Sequence, residues 1–358
     1  MDNYLVQLPP WYADPTYPFG GAALADNMPV TNPITNAGAT LGRVLFYDTR
    51  LSANNTIACA SCHQQAHAFA DPNRFSTGFL GGHTSRNAPN LTDNRYYANG
   101  HYFWDERANT LEDQVLGPIQ NPVEMGMDLA TLESKVGGTS FYPPLFTAAF
   151  GDPAVTSDRI SKALAQFVRS LVSYQSKYDQ ALNTGPGNPP DFQGTFTPSE
   201  FNGFAIFARV PGRENESMDC AVCHRNVEQT LGAQANFPPG APPGPFATNN
   251  GLNLDSTDDP GAGNGNFKAP SLRNIEVTAP YMHDGRFATL EDVVDFYAND
   301  VQDNPFLNPH LRVNDNPNGP VEHFNLTPQQ KADLVAFLKT LTDQAFLTDP
   351  KFSSPFPE

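Results

Sequence analysis

Two runs, Cys59-Ala60-Ser61-Cys62-His63 and Cys220-Ala221-Val222-Cys223-His224, constrain this chain more than any other feature, because they contain all four of its cysteines. Two thiols three positions apart can add to the two vinyl groups of one porphyrin, and the histidine that follows then places its imidazole on the iron. A four-cysteine zinc site or a pair of redox disulfides would use the same cysteines. Neither accounts for a histidine directly after both second cysteines. The spacing therefore predicts two covalent haem c groups, one held by Cys59, Cys62 and His63 and the other by Cys220, Cys223 and His224.

A chain of 358 residues exceeds the usual size of one core, and the motif occurs once in each half. The expectation is a mostly α fold of two c-type-cytochrome-like haem domains with long loops, related by an old duplication. The loops follow from 34 prolines and 27 glycines. Four helices are legible. From Asp158, the residues Ile160, Ala163, Leu164, Phe167, Val168, Leu171 and Val172 recur at helical spacing. A second helix starts at the Thr197 cap with Pro198 and Glu200, a third after Thr289, and the last after Thr327 with Pro328 and Gln330. The Gly/Pro-rich stretch Asn183 to Thr197 predicts a boundary between domains 1–185 and 186–358. Asn236 to Asn266 lacks apolar periodicity and reads as an extended loop in the second domain.

With 38 acidic against 21 basic residues the net charge is −17, and no basic cluster could track a phosphate backbone, which excludes nucleic acid as a partner. The acidic surface suits either a basic protein partner or solubility alone. No run of eighteen apolar residues exists to span a membrane. Met1 to Trp11 lacks both a charged n-region and an apolar h-region. Since haem c attachment implies export, the expectation is a periplasmic protein from which a signal was removed and to which an initiator Met was added.

Further runs follow each motif. After the first come Arg86-Asn87-Ala88-Pro89, Phe103-Trp104-Asp105, Leu111-Glu112-Asp113-Gln114 and the stretch Gly117 to Gly126. After the second come Phe267 to Asn274 and Thr278 to Gly285. In this order, over nearly the whole chain, they resemble the bacterial di-haem cytochrome c peroxidases and the related MauG group, which oxidises a protein substrate. The resemblance implies that hydrogen peroxide reacts at the first haem, with His63 as proximal ligand and Gln114 and Glu124 in the distal pocket. A carboxylate there can take the peroxide's first proton and return it to the leaving oxygen, while an amide positions the oxidant. On exposure statistics alone, the Glu and Gln would be solvated surface residues.

Phe79 falls where many family members keep a distal histidine, with His83, and less readily His67, as substitutes. The preferred expectation is an open, five-coordinate iron. Trp104 matches the tryptophan that relays a hole between the irons; a large core aromatic would suit the same position. Asn87, Thr278 and Pro280 match a calcium site built from an amide oxygen and two carbonyls. Arg273, in the second run, matches a cofactor-binding position.

Leu290, Val293, Val294 and Tyr297 fall at i, i+3, i+4 and i+7, so periodicity turns Tyr297 inward. The resemblance makes Tyr297 the second axial ligand beside His224, with Met282 as competitor. Phenolate is a hard donor that favours high-valent iron and lowers the reduction potential. The implied function is a MauG-like peroxidase that oxidises an aromatic residue, a tryptophan, of a partner protein through a high-valent di-haem state. The alternatives are a cytochrome c peroxidase fed by a small cytochrome or copper protein, and a non-catalytic di-haem electron carrier.

Overall fold

The computed structural model describes residues 2–357 except 6, 14–21, 98, 186–187, 209, 214–215, 225–246 and 254–259. Its architecture rests on α1 (Asn36–Tyr47), α2 (Leu111–Gln120), α3 (Ser157–Ser170), α4 (Pro198–Phe207), α5 (Leu290–Asp295) and α6 (Pro328–Lys339). Four of these, α3 to α6, stand where the sequence predicts helices. The Thr197/Glu200, Thr289/Asp292 and Thr327/Gln330 pairs cap them reciprocally, each satisfying two N–H groups that helix starts leave unpaired. The sequence reading did not foresee α1 and α2; Thr35 and Thr110 cap them.

Two helix pairs organise two cores. Helix α1 crosses α3 so closely that a Cβ on Gly42 would stand 2.0 Å from the Ala163 carbonyl oxygen. Helix α4 crosses α6 in the same manner, with a Cβ on Gly203 1.9 Å from the Asp333 carbonyl. Leu41, Phe46, Leu164 and Phe167 lie in the first core, and Ile206, Phe207, Leu334 and Phe337 in the second. Each such side chain contributes about 1.5–3 kcal/mol by leaving water. Arg169 on α3 grips Glu112 on α2 through two bonds of 2.6 and 2.9 Å, fixing how α2 meets the first core.

The two cores draw on different stretches of the chain. The first core draws on residues up to Leu171 and is closed by Phe346, Leu347 and Phe352. The second begins at Tyr178, whose N–H donates to the Thr340 carbonyl at 3.1 Å, and runs to Leu341. The Gly/Pro-rich stretch after Asn183 thus lies within the second half; its composition reports a loop, and loops occur inside domains as well as between them. Of the expected loop Asn236 to Asn266, residues 236–246 and 254–259 lie outside the described residues. Its described part includes β1 (Ala247–Thr248), which pairs antiparallel with β2 (Phe267–Lys268).

The halves share a backbone device. Tyr102 bridges Ala108 and Tyr281 bridges Phe287 across matching turns, with positive φ at Phe103 (66°) and Met282 (72°) and again at Glu106 (58°) and Gly285 (62°). Each turn then enters a Thr-capped helix, α2 or α5. Trp104 and His283 thereby occupy equivalent places and meet edge to face, with ring centroids 6.5 Å apart.

Candidate functional site

A short helix, Cys59–Cys62, presents the first motif, and the Ser61 hydroxyl accepts the Ala58 N–H at 3.0 Å to hold its start. His63 Nδ1 lies 2.7 Å from the Phe69 carbonyl oxygen. A carbonyl only accepts, so Nδ1 carries the proton and Nε2 keeps its lone pair for a metal. Left-handed backbone at Ala68 (φ 51°) and Phe69 (φ 61°) aims that carbonyl. The Phe69 ring is fully buried among Phe46, Phe167 and Phe346, which keeps the turn in place.

The second motif repeats the arrangement on the 3₁₀ turn Cys220–Val222: His224 Nδ1 lies 3.1 Å from the Pro270 carbonyl oxygen. Burial lowers both imidazoles, His224 to about 4, and so keeps them neutral as ligands must be. Burial also pushes the Cys59 and Cys220 thiols up to about 12 and Cys62 to about 11. Redox dithiols need a depressed thiol pKa, and none of the four cysteines forms a disulfide.

The His224 imidazole opens on a cavity of about 1620 Å³, including the solvent space at its mouth, walled by apolar side chains such as Leu290, Val294 and Leu338. Cys220, Cys223, Met282 and Tyr297 line the same space, which fits a porphyrin with its covalent and axial partners. Tyr297 sits on a single i→i+5 turn, Phe296–Asp300, that continues α5. Its hydroxyl accepts from Asn250 Nδ2 at 3.0 Å, and the Met282 sulfur lies 3.9 Å from the same nitrogen. Desolvation pushes the phenol up to about 12, and the Asn250 amide pulls against it. Asn250 lies in the Pro/Gly/Asn stretch, where nothing in the sequence marks it.

On the first side, Gln114 is half-buried on α2. Glu124 accepts from Asn121 Nδ2 at 2.8 Å; burial raises its pKa, opposed by Arg107 and Asn121. Its charge is felt at Cys59 and Cys62, which puts all three in one neighbourhood. Phe79 N–H donates to the Glu124 carbonyl at 2.9 Å, and its ring occupies the space a Cβ on Gly126 would need, at 2.4 Å. His83 is exposed and contacts Thr77 across its own loop, while His67 Nδ1 faces the Val277 carbonyl at 2.9 Å.

Trp104 is buried on the wall of the His224 cavity, its Nε1 donating to the Asn87 carbonyl at 2.8 Å. Asn87, Thr278 and Pro280 all line this cavity. The Asn87 amide nitrogen donates to the Asn73 carbonyl at 2.9 Å, leaving Oδ1 without a donor among the described residues. Arg273, expected at a cofactor, is not among the residues lining the His224 cavity. Its guanidinium is fully buried and pairs with Asp179, with one bond at 2.8 Å, flanked by the Tyr12 and Tyr178 rings. A buried guanidinium requires a carboxylate, and Asp179 supplies it.

A family model described as di-haem cytochrome c peroxidase matches residues 36–185. "Methylamine utilization protein MauG" of Methylophilus methylotrophus is 31% identical over 313 residues, covering 87% of this chain and 84% of that protein. "Cytochrome c551 peroxidase" of Nitrosomonas europaea is 34% identical, with 88% and 82% covered. A crystal structure of a MauG-like protein associated with microbial copper homeostasis superposes with a TM-score of 0.73 at 34% identity, covering 91% of this chain and 95% of that one.

Proposed function

The chain belongs to the di-haem cytochrome c peroxidase family and is an oxidoreductase that uses peroxide; from that premise we propose that it is a MauG-like enzyme, acting in the periplasm, that oxidises an aromatic residue, a tryptophan, of a partner protein. Both haems are of the covalent c type, and a calcium ion held by Asn87, Thr278 and Pro280 ties the loops between them. Bound at the two motifs, haem supplies the redox chemistry: cleavage of the O–O bond and storage of oxidising equivalents.

The residues of the chain do the rest. Glu124 takes the proton of the attacking peroxide oxygen and returns it to the leaving oxygen, while Gln114 orients the oxidant. Trp104, on the wall of the His224 cavity, relays charge between the two haems. The observation that carries the MauG-like reading is Tyr297, a desolvated phenol on the wall of the His224 cavity with one amide donor. As an anionic hard ligand it favours the oxidised metal over reduction by a small donor protein. The rival cytochrome c peroxidase reading draws on Met282, which shares the cavity and the Asn250 amide.

Tyr297→Phe decides between them. We expect the ferric absorption spectrum of the second haem to change to that of an open or water-ligated iron, and Tyr297→Met to raise that haem's reduction potential and stop oxidation of a protein partner. An unchanged ferric spectrum in the Phe variant would hand the axial position to Met282 and favour the cytochrome c peroxidase reading.

A further inference from the structure

Lys268 is a cation that nothing described so far employs. It lies on β2 with 8% of its surface exposed, and its N–H donates to the Trp104 carbonyl at 2.8 Å. Among the described residues no acceptor takes a hydrogen bond from its ammonium and no carboxylate pairs with it; Glu106 acts on it only at longer range. The contacts around Nζ are the faces of Tyr97 and Tyr102, with centroids at 5.3 and 5.9 Å. Glu106 is similarly underused, its Oε1 buried with no partner while Oε2 accepts from Asn99 at 2.9 Å. Burial lowers the ammonium to about 8 and raises the Glu106 carboxyl to about 7, so each is held in its charged form weakly in this arrangement.

A buried ammonium without an acceptor is costly, and structures retain one where a ligand supplies the missing anion. Lys268 lines the His224 cavity, while the tyrosines and Glu106 that surround its head belong to the first half. A c-type porphyrin is tethered through its vinyl edge, which leaves two carboxylates on the edge opposite. We propose that Lys268 anchors a haem propionate at the junction of the two halves, forming a charge-assisted hydrogen bond to its carboxylate. Glu106 faces that carboxylate and in its protonated form donates to it. Because the tyrosine faces exclude water, the pair also fixes the charge felt beside Trp104.

The test uses the full-length holoprotein. Lys268→Met removes a cation next to the porphyrin edge, so one haem should become harder to reduce, with about a tenfold change in its reduced-to-oxidised ratio at fixed poise, or about 59 mV for one electron. The resonance Raman propionate bending mode of that haem should shift as well, and which haem's potential moves tells whose propionate is bound. Lys268→Arg should keep both signatures. Should Lys268→Met fail to fold, Lys268→Gln, which keeps a donor but no charge, reads the same two quantities. If Raman mode and potential stay at wild-type values, or if adding Glu106→Gln to Lys268→Met restores both, the partner of the ammonium is Glu106 and the proposal falls. The inference rests on haem occupying the cavity: wild-type protein with one haem per chain would overturn that reading, whereas two haems indifferent to Lys268 would overturn this one alone.

Discussion

At the scale of single residues, the proton handling proposed for Glu124 has a pH signature. Its carboxyl is raised by burial, so its basic form is lost as pH falls through a value above the ordinary glutamate pKa of 4.5. The rate of reaction with peroxide should therefore drop on acidification with an inflection above that value. Glu124→Gln keeps the size but removes the acceptor; stopped-flow mixing should show a rate lower by roughly a hundredfold and no such inflection. An unchanged rate would assign the proton to water. The residues proposed to hold the haems were legible because covalent attachment of a c-type haem fixes its partners' spacing locally, at i, i+3 and i+4. The groups that orient them were not. Phe69 and Pro270 act through main-chain carbonyls, which carry no side-chain signal, and Asn250 reaches Tyr297 across 47 positions. Arg273 shows the converse: its place in a run says nothing about where a guanidinium finds its carboxylate.

At the scale of elements, two glycines set how closely helices approach. Ala at 203 must push α4 from the Asp333 carbonyl of α6 by more than an ångström, and we expect a loss of about 1–3 kcal/mol in denaturant unfolding. Should Gly203→Ala leave stability intact, the crossing is looser than described. The helices α3 to α6 were readable from caps and apolar spacing, which are local. The i→i+5 turn after α5 was not, because it is imposed by what surrounds Phe296, buried against Phe287, rather than by propensity. Periodicity still turned Tyr297 inward, since one widened turn displaces a side chain by less than the width of the apolar face.

At the scale of the whole molecule, the segment 344–352 returns to the first core and supports the turn that aims the Phe69 carbonyl at His63. Phe352→Ala removes a fully buried ring that meets Phe167 edge-on and Phe346 at a tilt, and we expect a loss of about 3–5 kcal/mol together with a perturbed spectrum at the first haem but not the second. Equal perturbation of both haems would show that the segment serves both halves. Composition could mark a Gly/Pro-rich stretch near 183–197 but not this return, which is a long-range contact between Phe167 and Phe352, 185 positions apart. The points of departure and return lie side by side: Asp343 accepts the N–H groups of Tyr174 and Gln175 at 3.0 and 2.9 Å. Residues 176–342 are thus nested inside the first half as a guest is inside a host. On a ribosome the guest is complete before the host, so the first haem motif to be synthesised belongs to the half that closes last.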